Sequence, residues 1–302
     1  MRGSGATRFG LAPVAALLLC GCVVAVDNKQ VTQAAPAAPG PAKGYQWLHG
    51  SGEAAVMSRQ AYDAMATFAE TQQGARNIGR VVASAVLDAS ATPEAPRWAG
   101  CGAKASAVVL DMDETSVLNS GSNYDTAKRG DPPFDAARWD AWEKGGAEYV
   151  DPLPGAVSAF RRLRAVGVTP IIISNRRSEN AAQAVAALDH AGLGPFEHGR
   201  TLFLAGDVAP GSGKDPRRAA VAAQWCVLAM VGDQLGDFSD RFNVKGMAPL
   251  DRRALALSAG VQAKWGHGWF LLPNPVYGPG VSGSLDDIFP PAVRWPGPQG
   301  VK

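Results

Sequence analysis

The sequence contains little cysteine and histidine, and neither occurs at a spacing typical of a metal site. Two of its four cysteines lie within the first 22 residues, which leaves Cys101 and Cys226 for the rest of the chain. The four histidines are scattered, and no two of them are four residues apart. A zinc site built from cysteine or histidine pairs is therefore not expected.

The chain also lacks an excess of charge and long apolar runs. Its 29 basic and 27 acidic residues give a formal net charge of +2, and Arg2 and Arg8 account for that surplus. Without the first 21 residues the balance is 27 − 27 = 0, and no basic segment indicates binding to a polymeric nucleic acid. A polytopic membrane protein would need repeated apolar runs of about 20 residues. A chain of 302 residues with a hydrophobic fraction of 46% instead fits a globular protein with a sizeable core.

The N-terminus is typical of an exported bacterial lipoprotein. Two arginines precede an apolar run over residues 11–19, which is too short for an ordinary transmembrane helix. The following Leu19-Cys-Gly-Cys22 resembles a lipobox, in which the last cysteine becomes the lipidated first residue. We predict a signal peptide over residues 1–21, lipidation of Cys22, and an Ala/Pro-rich tether over residues 22–44. A plain secretory signal is the alternative. The folded domain, residues 45–302, would then be attached to a bacterial membrane, at the outer membrane or the cell surface.

From residue 47 onwards, helix-like and strand-like segments alternate. A helix is predicted around Met57–Phe68 and a second around Ile78–Ala85, followed by further helices at 154–167 and after Ser178. Short apolar runs typical of buried parallel strands occur at 105–110, 168–173, 201–204, 226–231 and 269–272. This alternation predicts an α/β fold with a doubly wound parallel sheet and N-terminal helices. In such folds, ligands bind outside the carboxyl ends of the strands.

Polar residues follow several of these predicted strands. They are Asp111 and Asp113 after the first run, Ser174 and Asn175 after the second, Lys214 before the fourth, and Asp233 and Asp237 after the fourth. Four carboxylates at one edge of a sheet repel each other unless a cation or protons intervene, and carboxylate oxygens suit Mg²⁺. The cluster therefore predicts a magnesium site.

Phosphoryl transfer through an aspartyl phosphate needs such a set of residues. One carboxylate attacks phosphorus while a metal offsets the repulsion between the two anions. A second carboxylate two residues further on projects from the same face and can act as general acid and base. Ser174, the backbone amide of Asn175, and Lys214 could hold the phosphoryl oxygens.

In their order, these residues resemble the four motifs of the haloacid dehalogenase (HAD) superfamily. The resemblance implies that Asp111 is the nucleophile and Asp113 the general acid/base. It assigns phosphate binding to Ser174, Asn175 and Lys214. A Mg²⁺ site would comprise Asp111, the backbone carbonyl of Asp113, Asp233 and Asp237. It also implies a small helical cap over about residues 116–152, between the first two motifs.

Longer segments resemble the class C acid phosphatases within that superfamily. They are Asp111-Met-Asp-Glu-Thr, Trp139-Asp-Ala-Trp142, Ile173-Ser-Asn-Arg, Gly232-Asp-Gln-Leu-Gly-Asp-Phe238 and Leu272-Pro-Asn-Pro-Val-Tyr-Gly278. That family consists of bacterial lipoproteins and includes 5′-nucleotidases and NADP phosphatases of the outer membrane. The sequence departs from the family pattern at Ser116-Val-Leu-Asn-Ser and at Pro279-Gly-Val-Ser, on either side of the expected substrate pocket.

The resemblance implies a magnesium-dependent phosphatase for nucleoside monophosphates or similar phosphomonoesters. Tyr277 and Trp139 are candidates for binding the base, although core packing is the alternative for Trp139. Two other functions remain open: a broad phosphomonoesterase without base recognition, and a non-catalytic surface lipoprotein on the same fold. The expected partners are a small phosphate ester, a membrane through the lipid anchor, and a second copy of the chain in a homodimer.

The resemblance also bears on the two remaining cysteines, because the superfamily places the strands that end at Asp111 and Asp233 side by side. Cys226 lies seven residues before Asp233, and Cys101 lies ten residues before Asp111. Neighbouring strands are about 4.8 Å apart, within the Cα separation of a disulfide. A Cys101–Cys226 bridge is therefore within reach if residues 101–106 fold back under the sheet, and the alternative is two unpaired cysteines.

Overall fold

The computed structural model describes residues 40–298. The predicted signal peptide, Cys22 and most of the predicted tether lie outside these residues. The helices are α1 (Lys43–Gly50), α2 (Gly52–Asn77), α3 (Ser120–Lys128), α4 (Ala136–Gly145), α5 (Ala156–Ala165), α6 (Ala181–His190), α7 (Asp215–Gln224), α8 (Pro249–Ala256) and α9 (Leu285–Ile288). The strands are β1 (Ser106–Leu110), β2 (Val117–Leu118), β3 (Asp151–Pro152), β4 (Thr169–Arg177), β5 (Leu202–Ala205), β6 (Cys226–Gly232) and β7 (Trp269–Leu271). Over the described part of the chain, no helix combines the length and the apolar character needed to cross a bilayer.

Five strands form the main sheet, in the order β5-β4-β1-β6-β7. Every neighbouring pair in it is parallel. The five strands correspond to the five apolar runs of the sequence, so the predicted parallel sheet is confirmed. β1 lies at its centre, and its carboxyl end is therefore flanked by the ends of β4 and β6.

Both faces of the sheet are covered, which explains why β1 is buried along its whole length and apolar after Ser106. Val108 and Leu110 belong to one core cluster, together with Phe160 of α5 and other residues of α2, α5 and α6. Ala107 and Val109 belong to the opposite cluster, together with Val221 of α7. Successive residues of a strand point to opposite faces, so this alternation makes the fold doubly wound.

The helix predicted at Ile78–Ala85 is wrong. A single helix, α2, ends at Asn77, and the segment after it is irregular. Gly79 has φ +77°, a left-handed conformation that commonly ends a helix. Ala85 donates its backbone N–H to the carbonyl of Val227 over 2.7 Å, so this segment runs beside β6. Its apolar residues therefore recur at helical spacing in the sequence although the segment itself is not a helix.

β2 and β3 form a small antiparallel pair, and α3 and α4 lie between them in the sequence. All four elements belong to the part of the chain predicted as the cap. At the N-terminus, α1 begins at Lys43, so the last two residues of the predicted tether belong to a helix. Gly44 packs against the carbonyl of Pro275 so closely that a Cβ would collide with it. The first helix is thereby held against the loop that follows β7.

A disulfide joins Cys101 and Cys226, whose Cα atoms are 4.5 Å apart. Cys226 is the first residue of β6 and pairs in register with Ser106 at the start of β1. The segment from Cys101 to Ser106 therefore folds back at the amino edge of the sheet, as the predicted bridge requires.

Candidate active site

Three buried aspartates meet at the carboxyl edge of the sheet. Asp111 directly follows β1, Asp233 directly follows β6, and Asp237 lies in the short turn after β6. One carboxylate oxygen from each lies within 4.8 Å of the others. Gly232 permits this close approach, because a Cβ there would collide with the carboxylate of Asp237.

Lys214 is the cation within this cluster. It precedes α7, and its Nζ donates to Asp111 Oδ1 and, over 2.7 Å, to Asp237 Oδ1. Burial lowers the pKa of the lysine, but the two carboxylates outweigh that effect and raise it above its usual value. The ammonium group therefore stays charged.

One lysine does not offset three buried carboxylates. Burial raises the pKa of Asp111 well above its usual value despite the opposing charge of Lys214. Burial, together with the charge of Asp237, raises the pKa of Asp233 to about 6. Asp233 is held in place by Thr115 Oγ1 and Asn274 Nδ2, each donating over 2.8 Å. Hard oxygen donors with surplus negative charge fit a divalent cation.

Asp113 lies beside this cluster, but its carboxylate faces another set of partners. Arg176 Nε donates to Asp113 Oδ1 over 2.9 Å, and Asn119 Nδ2 donates to the same oxygen over 3.1 Å. Burial alone would raise the pKa of Asp113, but the charge and hydrogen bond of Arg176 lower it below its usual value. Any metal contact of Asp113 would therefore have to come from its backbone carbonyl.

The predicted phosphate-binding residues take up different positions. Asn175 and Lys214 line a cavity of about 920 Å³ in front of the aspartates. Ser174 is completely buried, and its hydroxyl donates to Asp113 Oδ2 over 3.1 Å. In this structure Ser174 thus helps to hold Asp113, and its contact with a phosphoryl oxygen stays a prediction.

The aromatic walls of the cavity come from three parts of the chain. Tyr45 contributes from α1, Trp139 and Trp142 from α4 of the cap, and Tyr277 from the loop after β7. Tyr277 is 40% exposed, and Trp139 is half-buried. Both predicted base-binding residues therefore line the cavity, and their contact with a base stays a prediction.

The sequence reasoning missed several residues that support this site. Glu114 is wholly buried and has φ +51°. Its carboxylate accepts from the hydroxyl of Tyr277, and from the backbone N–H of Asn119 over 3.0 Å. Burial and the charge of Asp113 raise the pKa of Glu114 to about 7. The remaining missed residues are Asn119, Arg176 and Arg217. Each lies within eight residues of a motif residue, but nothing in the residue type alone indicates its partner.

The fold and these strand-end residues define a HAD-type phosphatase site. A family model described as "HAD superfamily, subfamily IIIB (Acid phosphatase)" matches residues 49–280 of the chain. The chain belongs to this acid phosphatase family, and it is therefore a phosphoric monoester hydrolase. The predicted resemblance to class C acid phosphatases is confirmed.

Two solved structures show the same fold. The class C acid phosphatase from Bacillus anthracis superposes with a TM-score of 0.61 and 24% identity, over 78% of this chain and 84% of that chain. A second structure of a class C acid phosphatase from Bacillus anthracis, with tungstate bound, gives a TM-score of 0.60 at the same identity and coverage.

Proposed function

We propose that this protein is a magnesium-dependent phosphatase that hydrolyses nucleoside monophosphates or similar small phosphomonoesters through an aspartyl phosphate, an acyl phosphate formed on Asp111. The observation that carries the proposal is that the carboxylates of two neighbouring aspartates have different surroundings. Asp111 belongs to the acidic cluster with Asp233 and Asp237, whereas the carboxylate of Asp113 is held by Arg176. One carboxylate is thus placed at the candidate metal site and the other beside it.

Asp111, Asp233 and Asp237 are the residues that would hold Mg²⁺, with the backbone carbonyl of Asp113 as a further ligand. Bound Mg²⁺ offsets negative charge and polarises a phosphoryl oxygen. The surplus of buried carboxylate over lysine in the cluster supports a cation there. The tungstate bound to the class C acid phosphatase from Bacillus anthracis further supports an oxyanion site on this fold.

Within this scheme, an oxygen of Asp111 forms a bond to phosphorus while the ester P–O bond breaks. Asp113 in its protonated form, which its lowered pKa confines to acidic pH, gives its proton to the departing alkoxide, so an alcohol leaves. Asp113 then takes a proton from water, whose oxygen bonds to phosphorus and releases Asp111 and inorganic phosphate. Lys214 and Asn175 line the cavity and would hold the phosphoryl oxygens.

The size and lining of the cavity support a substrate with a flat ring. The aromatic rings of Trp139 and Tyr277 line a space of about 920 Å³, larger than a phosphate group requires. Stacking of a base on an aromatic side chain contributes about 1–3 kcal/mol. A nucleoside monophosphate would place its phosphate at Asp111 and its base toward these rings.

The decisive experiment compares kcat/KM for a nucleoside monophosphate and for glycerol phosphate, with and without a chelator. We expect a clear preference for the nucleotide and a loss of both activities on chelation. Equal kcat/KM values would instead favour a broad phosphomonoesterase without base recognition. Acid quenching of the reaction with a ³²P-labelled substrate should leave label on the wild-type protein and none on the Asp111→Asn variant.

The proposed location is outside the cytoplasm, on a bacterial membrane, through lipidation of Cys22. The sequence around Cys22 supports this location, and the disulfide is consistent with an oxidising compartment. Assembly into a homodimer stays a prediction, which sedimentation of the mature protein would test.

A further inference from the structure

Arg217 is a buried cation that touches both phosphate-site loops. It lies in the first turn of α7 and is only 2% exposed. Its guanidinium donates to the backbone carbonyl of Ser174 and, over 2.6 Å, to Asn175 Oδ1. On the other side it donates over 3.1 Å to the carbonyls of Ser212 and Gly213, just before Lys214. All four acceptors are neutral oxygens.

The charge of Arg217 has no close counterion. Within residues 40–298, no carboxylate oxygen lies within 4.0 Å of its guanidinium. Three other buried cations at the site do form ion pairs, in Arg176–Asp113, Lys214–Asp111 and Arg218–Asp240. Burying a cation without an opposite charge is unfavourable for folding. The charge of Arg217 is thus offset only at longer range, by carboxylates such as Asp111 and Asp240, and it lies beside both phosphate-site loops before a substrate binds.

Arg217 also sets the orientation of the Asn175 amide. Because Asn175 Oδ1 accepts from Arg217, the NH₂ group lies at the other end of the amide. That NH₂ group has no hydrogen-bond partner among the described residues, and Asn175 lines the cavity. The amide is therefore held with two unused donors available to a ligand.

We propose that Arg217 is a positioning residue for the phosphoryl group, which it stabilises by its charge and through Asn175 without touching it. A phosphate monoester carries up to two negative charges, and the cation that offsets them is already in place before the ester arrives. Such a preorganised charge costs no rearrangement during the reaction. The inference rests on the proposed phosphate site at Asn175 and Lys214, and it is independent of any preference for nucleotides.

The test uses Arg217→Lys and Arg217→Gln, which both shorten the side chain and differ in charge. Inorganic phosphate is the probe, at a fixed Mg²⁺ concentration. Its affinity is measured by the rise in melting temperature and by competitive inhibition of ester hydrolysis. We expect Arg217→Gln to bind phosphate about tenfold or more weakly, because a unit charge near a buried anion interacts strongly. Arg217→Lys should stay within about threefold of the wild type, because its charge is retained.

Arg164 provides a matched control at the opposite edge of the sheet. Its NH2 group donates to the carbonyl of Leu193 over 2.7 Å, and it lies before the start of β4. Arg164→Lys and Arg164→Gln should leave the affinity for phosphate unchanged. A change as large as that at Arg217 would overturn the assignment of the effect to the phosphate site.

Several outcomes would overturn the inference. One is an equal loss of affinity in Arg217→Lys and Arg217→Gln, which would indicate that only packing or hydrogen-bond geometry matters. Another is wild-type affinity in Arg217→Gln. If Arg217→Gln does not fold, a loss of more than about tenfold in Arg217→Lys, whose charge should keep binding near the wild type, still contradicts it. A wild-type protein that binds no phosphate would overturn the phosphate site itself, and this inference with it.

Discussion

The phenol of Tyr277 donates a hydrogen bond to the carboxylate of Glu114, so a cavity wall is tied directly to the first HAD motif. Glu114 is fully buried, and it also accepts from Asn123 Nδ2 of α3 over 2.9 Å. Its φ of +51° is unfavourable for a residue other than glycine. In this conformation the side chain of Glu114 contacts both the cap, at Asn123, and the loop after β7, at Tyr277.

The Tyr277–Glu114 bond predicts a substrate-dependent effect of Tyr277→Phe. The ring remains, but the hydrogen bond that fixes it is lost. We therefore expect KM for a nucleoside monophosphate to rise about 3- to 10-fold, the usual range for one hydrogen bond, with little change in kcat. Tyr277→Ala should raise this KM further. Glycerol phosphate should be hydrolysed at the wild-type kcat/KM by both variants.

The control is Tyr149→Phe, since Tyr149 is 64% exposed and does not belong to the cavity lining. An equal loss of kcat/KM for glycerol phosphate and the nucleotide in Tyr277→Phe would contradict a role in base binding.

Substitutions of the two motif aspartates should separate their roles. Asp111→Asn should abolish turnover, because an amide is a poor nucleophile and a weak metal ligand. Asp113→Asn should lower kcat by roughly 10²–10⁴-fold, the range for loss of general acid–base catalysis. Steady-state assays of folded variants, matched by circular dichroism, check both values. Near-normal turnover by Asp111→Asn would be incompatible with the proposed mechanism.

Removal of divalent metal should abolish activity, and added Mg²⁺ should restore it. In the absence of substrate, Mg²⁺ should also raise the melting temperature of the wild type, because a ligand that binds only the folded state stabilises it. Asp233→Asn should weaken that rise, since one of the three clustered carboxylates is lost. Full activity after exhaustive chelation would refute the metal site.

The disulfide should stabilise the fold without taking part in catalysis. It links residues 125 positions apart and lies at the amino edge of the sheet, away from Asp111. Replacing both Cys101 and Cys226 by alanine should lower the free energy of unfolding by about 2–5 kcal/mol. Urea unfolding with and without reductant measures this difference, and the double variant should be insensitive to reductant. Two free thiols in the unreduced wild type would show that the bridge does not form.

Lipidation at Cys22 predicts that Cys22→Ser releases the protein from the membrane fraction. Cys20→Ser is the matched control and should leave the protein attached, because Cys22 alone follows a small residue at the lipobox position. Fractionation and a mass measurement of the mature N-terminus test this. Retention of Cys22→Ser in the membrane would argue for a different anchor.

The strands were predictable because buried parallel strands are continuous apolar runs. The first predicted run, 105–110, matches β1 to within one residue, and 226–231 matches β6 equally closely. The aspartates were predictable because they follow those runs directly. The support from Arg217 and Glu114 was not, because it depends on contacts between residues far apart in sequence. For Arg217, the absence of a carboxylate within 4.0 Å among residues 40–298 becomes visible only in three dimensions.

The cavity walls and the acidic cluster come from different parts of the chain, and this has a consequence for how the substrate preference of the enzyme can be altered. The carboxylates that we propose perform the chemistry lie at or just after strand ends, whereas the aromatic walls come from α1, the cap and the loop after β7. Selectivity and reactivity are therefore encoded in different stretches of the chain. Grafting these three stretches from a relative with another substrate should transfer its preference to this catalytic frame. Such a graft must keep Glu114 and a tyrosine at 277 together, since they join the two parts.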